Sequence, residues 1–390
     1  MIVNIVCVPF HDYKVALSEG FRTRDTHIYG SWSHSDKVDK VVIFNRPTLV
    51  LEKLLGRKEL YTKGDVIYSV KNLRIVEVSK NVFVVDVKRK DVVGPVVKGK
   101  RFIPELYSRS VNEYKKALDI LGVIDFVSYE SSPLTRDLVD KIKPKKRIFD
   151  GVDNFCKHDS YQPLKKWLEF EYEEIISSYD YIYFNSKDSI NYFNCEDKPN
   201  VEFLPNGVDF SKFKCEYDKP KLLKEIGGKI AIYAGKMQSM FDVDLVRKCA
   251  ESELDINWVF LGKVLDGNIK ESLSDLENVY FLGDIHYDKL PEYIVNADVC
   301  IIPYRVENQH GGDPIKFYEY FASGLPIVST PIGEIAIYNN DVDVFIVEKS
   351  LFIDAVSKAE NCKRNELRKL PQELTWIFKS NYMLNKISEV

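Results

Sequence analysis

Gly311-Gly312-Asp313-Pro314-Ile315-Lys316-Phe317-Tyr318-Glu319-Tyr320-Phe321-Ala322-Ser323-Gly324-Leu325-Pro326-Ile327-Val328-Ser329 is the stretch around which this chain is organised. The paired glycines make a loop that another group can approach closely. Pro314 suits the first turn of a helix, where its missing N–H costs nothing. Lys316 and Glu319 then fall three residues apart on one helical face. Gly324 stops the helix, and Leu325 to Ser329 reads as a buried strand. A helix start offers N–H groups and positive dipole to an anion. Gly312, Asp313, Pro314 and Ile315 supply that start here, and Lys316 adds a full charge. Glu319 can accept two hydrogen bonds from a sugar diol. Phosphate at the helix start with ribose beside Glu319 is the arrangement of a bound nucleoside diphosphate.

Outward from this loop, short apolar runs alternate with amphipathic stretches. Strands are expected at Ile2–Val8, Lys40–Phe44, Val82–Val87, Ile124–Ser128, Arg147–Phe149, Tyr181–Phe184 and Val201–Leu204. Helical patterns at Pro47–Leu55, Val111–Leu121, Leu134–Ile142 and Pro163–Tyr179 fall among them. The alternation restarts after Gly228, with strands at Ile230–Tyr233, Asn257–Leu261, Val279–Leu282, Val299–Ile302 and Ile327–Ser329. Such alternation implies α/β architecture with parallel sheets. Two series imply two doubly wound, Rossmann-like domains facing a cleft. The expected boundaries are 1–205 for the first, 206–228 for a linker rich in chain breakers, and 229–370 for the second. Residues 371–390 are expected to form a closing helix. Ligands in such sheets bind beyond the carboxyl ends of the strands.

Several segments resemble the GT-B glycosyltransferases of the group-1/GT4-like type. The loop above is similar to their P-x-K-x-x-E donor motif. Leu204-Pro205-Asn206-Gly207-Val208-Asp209 followed by Phe213 resembles their interdomain crossover. Asn278 to Gly283, Leu290 to Tyr293 and Ala297 to Pro303 resemble a further run of the same family. The resemblance is strong from Asn206 to Glu334 and weaker before it. It implies a sugar moved from a nucleoside diphosphate, expected to be UDP, to a hydroxyl acceptor. It also implies the closing helix's return to the first domain. One departure matters: the commoner pattern has an acidic residue where this chain has Gly311. The motif is closer in style to xanthan-type glucuronosyltransferases, and retaining chemistry does not carry over.

Ala234-Gly235-Lys236-Met237 follows the first strand of the second domain. Gly235 lets backbone approach a phosphate, and Lys236 can neutralise it; an ordinary strand-to-helix turn would look the same. Gly262-Lys263 is a weaker copy. An inverting reaction needs a carboxylate to take the acceptor's proton. Phe149-Asp150-Gly151-Val152-Asp153-Asn154-Phe155 ends a strand and resembles an acidic stretch that supplies a base in related enzymes, with Asp153 first and Asp150 second. His11, Asp12, Arg46 and Glu130 are further acceptor-side candidates at strand ends. Asp242-Val243-Asp244 and Asp341-Val342-Asp343 have D-x-D spacing but read as surface features. No metal or other cofactor is expected.

Among 390 residues, 45% are hydrophobic and 29% charged, with a formal net charge of −4. Two domains are the default at this length. The charge excludes a global attraction to nucleic acid or acidic lipid. The seven cysteines have neither C-x-x-C nor His pairing, which fits reduced thiols in a cytoplasmic protein. No apolar run reaches the ~18 residues of a membrane helix. Lys88-Arg89-Lys90 with Lys98, Lys100 and Arg101, and the run Lys141 to Arg147, are the features that favour an anionic acceptor, or contact with DNA or a membrane surface. The default acceptor is a surface polysaccharide or lipid-linked glycan. A hydroxymethylated base in DNA is the alternative, and a catalytically silent sugar-nucleotide binder the third reading.

Overall fold

The computed structural model describes residues 2–56, 59–91, 93–309, 312–365, 368 and 370–388. The chain divides into two compact units: Met1–Leu204 with Ile377–Val390, and Pro205–Trp376. The stretch expected to be a linker, 206–228, carries two short helices, Phe210–Phe213 and Lys221–Ile226, and belongs to the second unit.

Among the described residues ten strands build the first unit: β1 Val3–Val8, β2 Val38–Phe44, β3 Thr48–Leu49, β4 Asp65–Val70, β5 Leu73–Ser79, β6 Val82–Arg89, β7 Phe126–Glu130, β8 Lys146–Gly151, β9 Tyr181–Phe184 and β10 Val201–Phe203. Their order is β10-β9-β8-β7-β1-β2-β6-β5-β4, with β3 beside β6. The central strands are runs of Val, Ile and Phe buried on both faces, as parallel sheets require. The hairpin β4–β5–β6 departs from the all-parallel expectation and runs antiparallel. Two-residue turns, Lys71-Asn72 and Lys80-Asn81, allow nothing else. Asn81 takes the left-handed conformation at φ 60° that such turns favour.

Among its described residues the second unit has six strands: β11 Lys229–Ala234, β12 Ile256–Leu261, β13 Val279–Gly283, β14 Val299–Ile302, β15 Ile327–Ser329 and β16 Val344–Ile346. The order β13-β12-β11-β14-β15-β16 is parallel throughout. Strand order reverses beside β11, and beside β1 in the first unit. These switch points are where a doubly wound sheet leaves a crevice for ligands.

Five helices matter below: α1 Arg24–Trp32, α2 Lys165–Ser178, α3 Val243–Ser252, α4 Ile315–Ser323 and α5 Trp376–Ser388. From Ile377 onward, α5 belongs to the first unit. There Trp32 Nε1 donates to Ser380 O at 2.9 Å, Tyr181 Oη to Lys386 O at 2.8 Å, and Lys37 Nζ to Asn385 Oδ1 at 2.8 Å. Among the described residues no helix is long and apolar enough to cross a membrane.

Candidate functional site

At the carboxyl ends of β11 and β12 two glycines let the backbones touch. Gly235 has φ 154° and Gly262 φ 131°. A Cβ on Gly262 would lie 2.6 Å from the Gly235 carbonyl carbon and closer still to its oxygen. A Cβ on Gly235 would lie 2.6 Å from Lys316 Nζ. Both positions therefore require glycine. The small residue at Gly235 is what lets the lysine of α4 reach the turn after β11.

Lys316 is held from behind by two rings. Its ammonium lies 4.8 Å from the centroids of both Tyr233 and Tyr304, within cation–π range. It donates to the Tyr304 hydroxyl and is 3.5 Å from that of Tyr233. Both tyrosines are buried. Thr330 fixes the Tyr304 backbone on both sides, accepting from its N–H at 3.1 Å and donating to its carbonyl at 2.8 Å. Tyr320, also on α4, accepts from Ala234 N at 2.7 Å, so helix and strand end are joined directly.

Glu319 is buried one turn further into α4. Tyr287, in the segment after β13, faces it. Burial pushes the Tyr287 phenol well above its ordinary pKa, and the Glu319 carboxylate pushes it further. The C-terminus of α4 is closed by Gly324 at φ 75° and by two guanidinium groups. Arg364 Nε donates to Ser323 O at 2.8 Å, and Arg368 Nη1 to Leu325 O at 3.1 Å. Lys236 is exposed beside this turn, and its carbonyl accepts from Tyr233 Oη at 2.8 Å.

One expectation for the helix start needs correction. Pro314 stands at the cap position, with φ −75° and ψ 108°, one residue before the first turn. Asp313 lies one residue before that cap. It is buried, and its Oδ2 accepts from Asn206 N and from Tyr318 Oη, each at 2.7 Å. It thus ties the crossover segment to the loop before α4. The Gly312 carbonyl oxygen would lie 3.4 Å from a Cβ on Gly333. Gly311 lies outside the described residues.

In the first unit, Asp150 is fully buried in β8. Both of its oxygens lie 2.9 Å from Arg24 Nε, and Tyr129 Oη donates to it at 2.6 Å. These contacts engage the carboxylate in the core of the first unit. Asp153 follows in the loop, half-buried, its carbonyl accepting from Tyr172 Oη of α2 at 3.0 Å. Glu130 ends β7 with no exposure, holding hydrogen bonds from Thr135 and Tyr179. Burial pushes its carboxyl up to about 7 despite those two bonds. It is a core group without access to an acceptor. Asp12 is buried too, its Oδ1 accepting from Arg46 N at 2.8 Å, while Arg46 pairs with Glu52 at 2.5 Å. His11 is half-buried beside Phe10, its ring 4.6 Å away. Asp25 on α1 lies in its electrostatic reach: burial raises that carboxyl, while the Thr23 hydrogen bond and His11 work to lower it.

The first D-x-D segment has other work. Asp242 caps α3 and pairs with Lys349 at 2.7 Å, and Asp244 pairs with Arg305 at 3.2 Å. Among the described residues no group of three His, Cys, Asp or Glu is placed to hold a metal ion. The basic clusters are offset locally: Arg89 pairs with Glu113, Lys98 with Glu105, Lys141 with Asp137, and Arg147 with Asp140.

Sequence reasoning missed Tyr233, Tyr304 and Arg24. The tyrosines sit at strand ends or in the loops that follow, but buried aromatic residues are too common there to signal a role alone. Arg24 is a lone arginine in an unremarked helix, and its partner is 126 positions away.

Comparison with known proteins fits this geometry. Residues 230–361, which include both glycine turns and α4, match the family described as Glycosyl transferases group 1. The fold is that of the GT-B glycosyltransferases. Sucrose-phosphate synthase from Thermosynechococcus elongatus superposes with a TM-score of 0.70 at 12% identity, over 99% of this chain and 98% of that one. Anabaena Alr3699/HepE, in complex with UDP and glucose, gives 0.65 at 12% identity over 100% of both chains. In sequence, the chain is 24% identical over 138 residues to TuaH of Bacillus subtilis (strain 168), a protein named as a teichuronic acid biosynthesis glycosyltransferase. That match spans 34% of this chain and only 35% of the relative.

Proposed function

We propose that the protein transfers a sugar from a UDP-sugar to a hydroxyl of a glycan, either a growing surface polysaccharide or a lipid-linked precursor. The observation that carries this reading is Lys316, set against the Gly235 turn at a sheet switch point with Glu319 one helical turn deeper. The start of α4, Lys316 and Lys236 bring positive potential to one place, where a departing diphosphate would develop charge. Glu319 is the acceptor for the ribose diol. The acceptor hydroxyl oxygen bonds to the anomeric carbon as the bond from that carbon to the diphosphate oxygen breaks. The electron pair leaves with the diphosphate. If the reaction inverts, the hydroxyl proton passes to a carboxylate, and Asp153 is the assigned base, because Asp150 and Glu130 are engaged in the core. His11, beside Asp25, is the second candidate. Lys316, Lys236 and the helix start take the place of a metal at the diphosphate. The family match to the second unit and the UDP complex of HepE support the donor; the name of TuaH supports a polysaccharide acceptor.

Thermal shift with UDP in metal-free buffer tests the donor site. UDP raises the melting temperature of the native protein, since a ligand bound only to the folded state stabilises it. Lys316→Ala removes most of that shift and Glu319→Ala reduces it. An equal shift in all three proteins would refute the site.

A further inference from the structure

Lys316 owes its place to a chain of hydroxyls whose direction can be deduced. The Lys236 carbonyl can only accept, and Tyr233 Oη donates to it at 2.8 Å. A phenol has one proton. With that proton committed, the Tyr233 oxygen can only accept from Tyr304 Oη, 3.1 Å away. Tyr304 therefore points its proton at Tyr233, and its own oxygen is left to receive the Lys316 N–H. The described partners of Lys316 are rings and hydroxyls, not carboxylates, so its charge stays available to an anion.

We propose that Tyr304 and Tyr233 are positioning residues, and that the directed chain from Lys316 through both hydroxyls to the Lys236 carbonyl sets the affinity of the site for the diphosphate part of the donor. This rests on the donor reading given above. The chain links α4 to the turn after β11, the two elements that would meet the phosphates. Breaking it in the middle lets the ammonium and the Gly235–Lys236 peptide drift independently while leaving the rest of the nucleotide site intact. Small displacements of this kind are what separate a preorganised electrostatic site from a loose one.

Tyr304→Phe is the informative variant, because it keeps the ring and removes only the hydroxyl. Two measurements are made on the full chain. Calorimetric titration compares UDP with uridine, which lacks the phosphates. Tyr304→Phe weakens UDP about tenfold, the scale of one hydrogen bond to a charged group, and leaves uridine unchanged. Mass-spectrometric footprinting with an amine-acylating reagent, without ligand, follows Lys316 directly. Its acylation is slow in the parent protein, faster in Tyr304→Phe, and faster again in Tyr304→Leu, which also removes a ring face. Equal weakening of UDP and uridine would show general loosening and overturn the proposal. So would parent-like UDP affinity and parent-like acylation in Tyr304→Phe. If the parent binds no UDP while acylation of Lys316 still responds to Tyr304→Phe, the chain stands and the donor reading falls.

Discussion

Replacing Gly262 by alanine is the most local way to test whether the two glycine turns form one unit. The added methyl would overlap the Gly235 carbonyl, with the carbonyl carbon only 2.6 Å away. Two costs then add. Holding a non-glycine residue at φ 131° costs about 1–2 kcal/mol. Forcing the two backbones apart costs about 1–3 kcal/mol, the range for overpacked sites. A total near 3 kcal/mol follows. With an m-value of about 4 kcal/mol/M in guanidinium, the midpoint of the second unit's transition falls by roughly 0.7 M. Gly283→Ala is the control. Gly283 ends the neighbouring strand at φ 78°, and a Cβ there would meet nothing within 4 Å. It carries only the conformational cost, so its midpoint falls by about 0.25 M at the same slope. Gly262→Ala also weakens UDP binding, because the Gly235 turn must move. The assay is circular dichroism through a guanidinium titration, paired with UDP thermal shift. Equal small effects from both substitutions would refute the close approach.

Arg24→Ala strands the Asp150 carboxylate in the core of the first unit and costs about 3–5 kcal/mol; Arg24→Met with Asp150→Leu recovers most of it, as read by urea titration. Glu130 sets a pH dependence. Its folded pKa of about 7 lies above the ordinary 4.5, so the fold favours the protonated form. That contribution is fully present below 4.5 and is lost as pH rises through 7, about 3 kcal/mol in all; Glu130→Gln flattens the curve, and an unchanged profile would refute the assignment. Asp153→Asn lowers turnover roughly 10²-fold if the reaction inverts, with UDP binding unaffected; full turnover would make that loop structural. Transfer from the UDP-sugar persists in excess chelator, and a complete loss restored by magnesium or manganese would overturn the metal-free reading.

The parallel sheets were legible because their strands are short, apolar runs cut out by turns. Val299–Ile302 and Tyr181–Phe184 match the sequence expectation residue for residue. The hairpin Asp65–Ser79 was not legible as a pair of strands, since β4 is exposed along most of its length and has no buried face to mark it. The loop proposed for the donor stood out in the sequence because Gly, Pro, Lys and Glu fall together there at the spacing of the motif it resembles. Its details did not: the bond from Asp313 to Asn206 spans 107 positions, and no local pattern announces it. Asp150 shows the opposite failure. An Asp at a strand end looks the same whether it faces a substrate or a buried arginine, and only the fold brings Arg24 into view.

The division of the chain has a consequence for its synthesis. The first unit is discontinuous, and its α5 piece begins only at Ile377. On the ribosome, the strands from β1 to β10 emerge first and must wait for that helix while roughly 170 residues of the second unit are made. At about 5–20 residues per second, the delay is on the order of 10–30 s. Throughout it, Trp32 Nε1 lacks its Ser380 acceptor and the apolar face that α5 covers stays wet. The second unit is continuous in sequence, and its last residue, Trp376, directly precedes the part of that helix the first unit waits for. The unit whose synthesis starts first is therefore finished only after the whole of the other has been made.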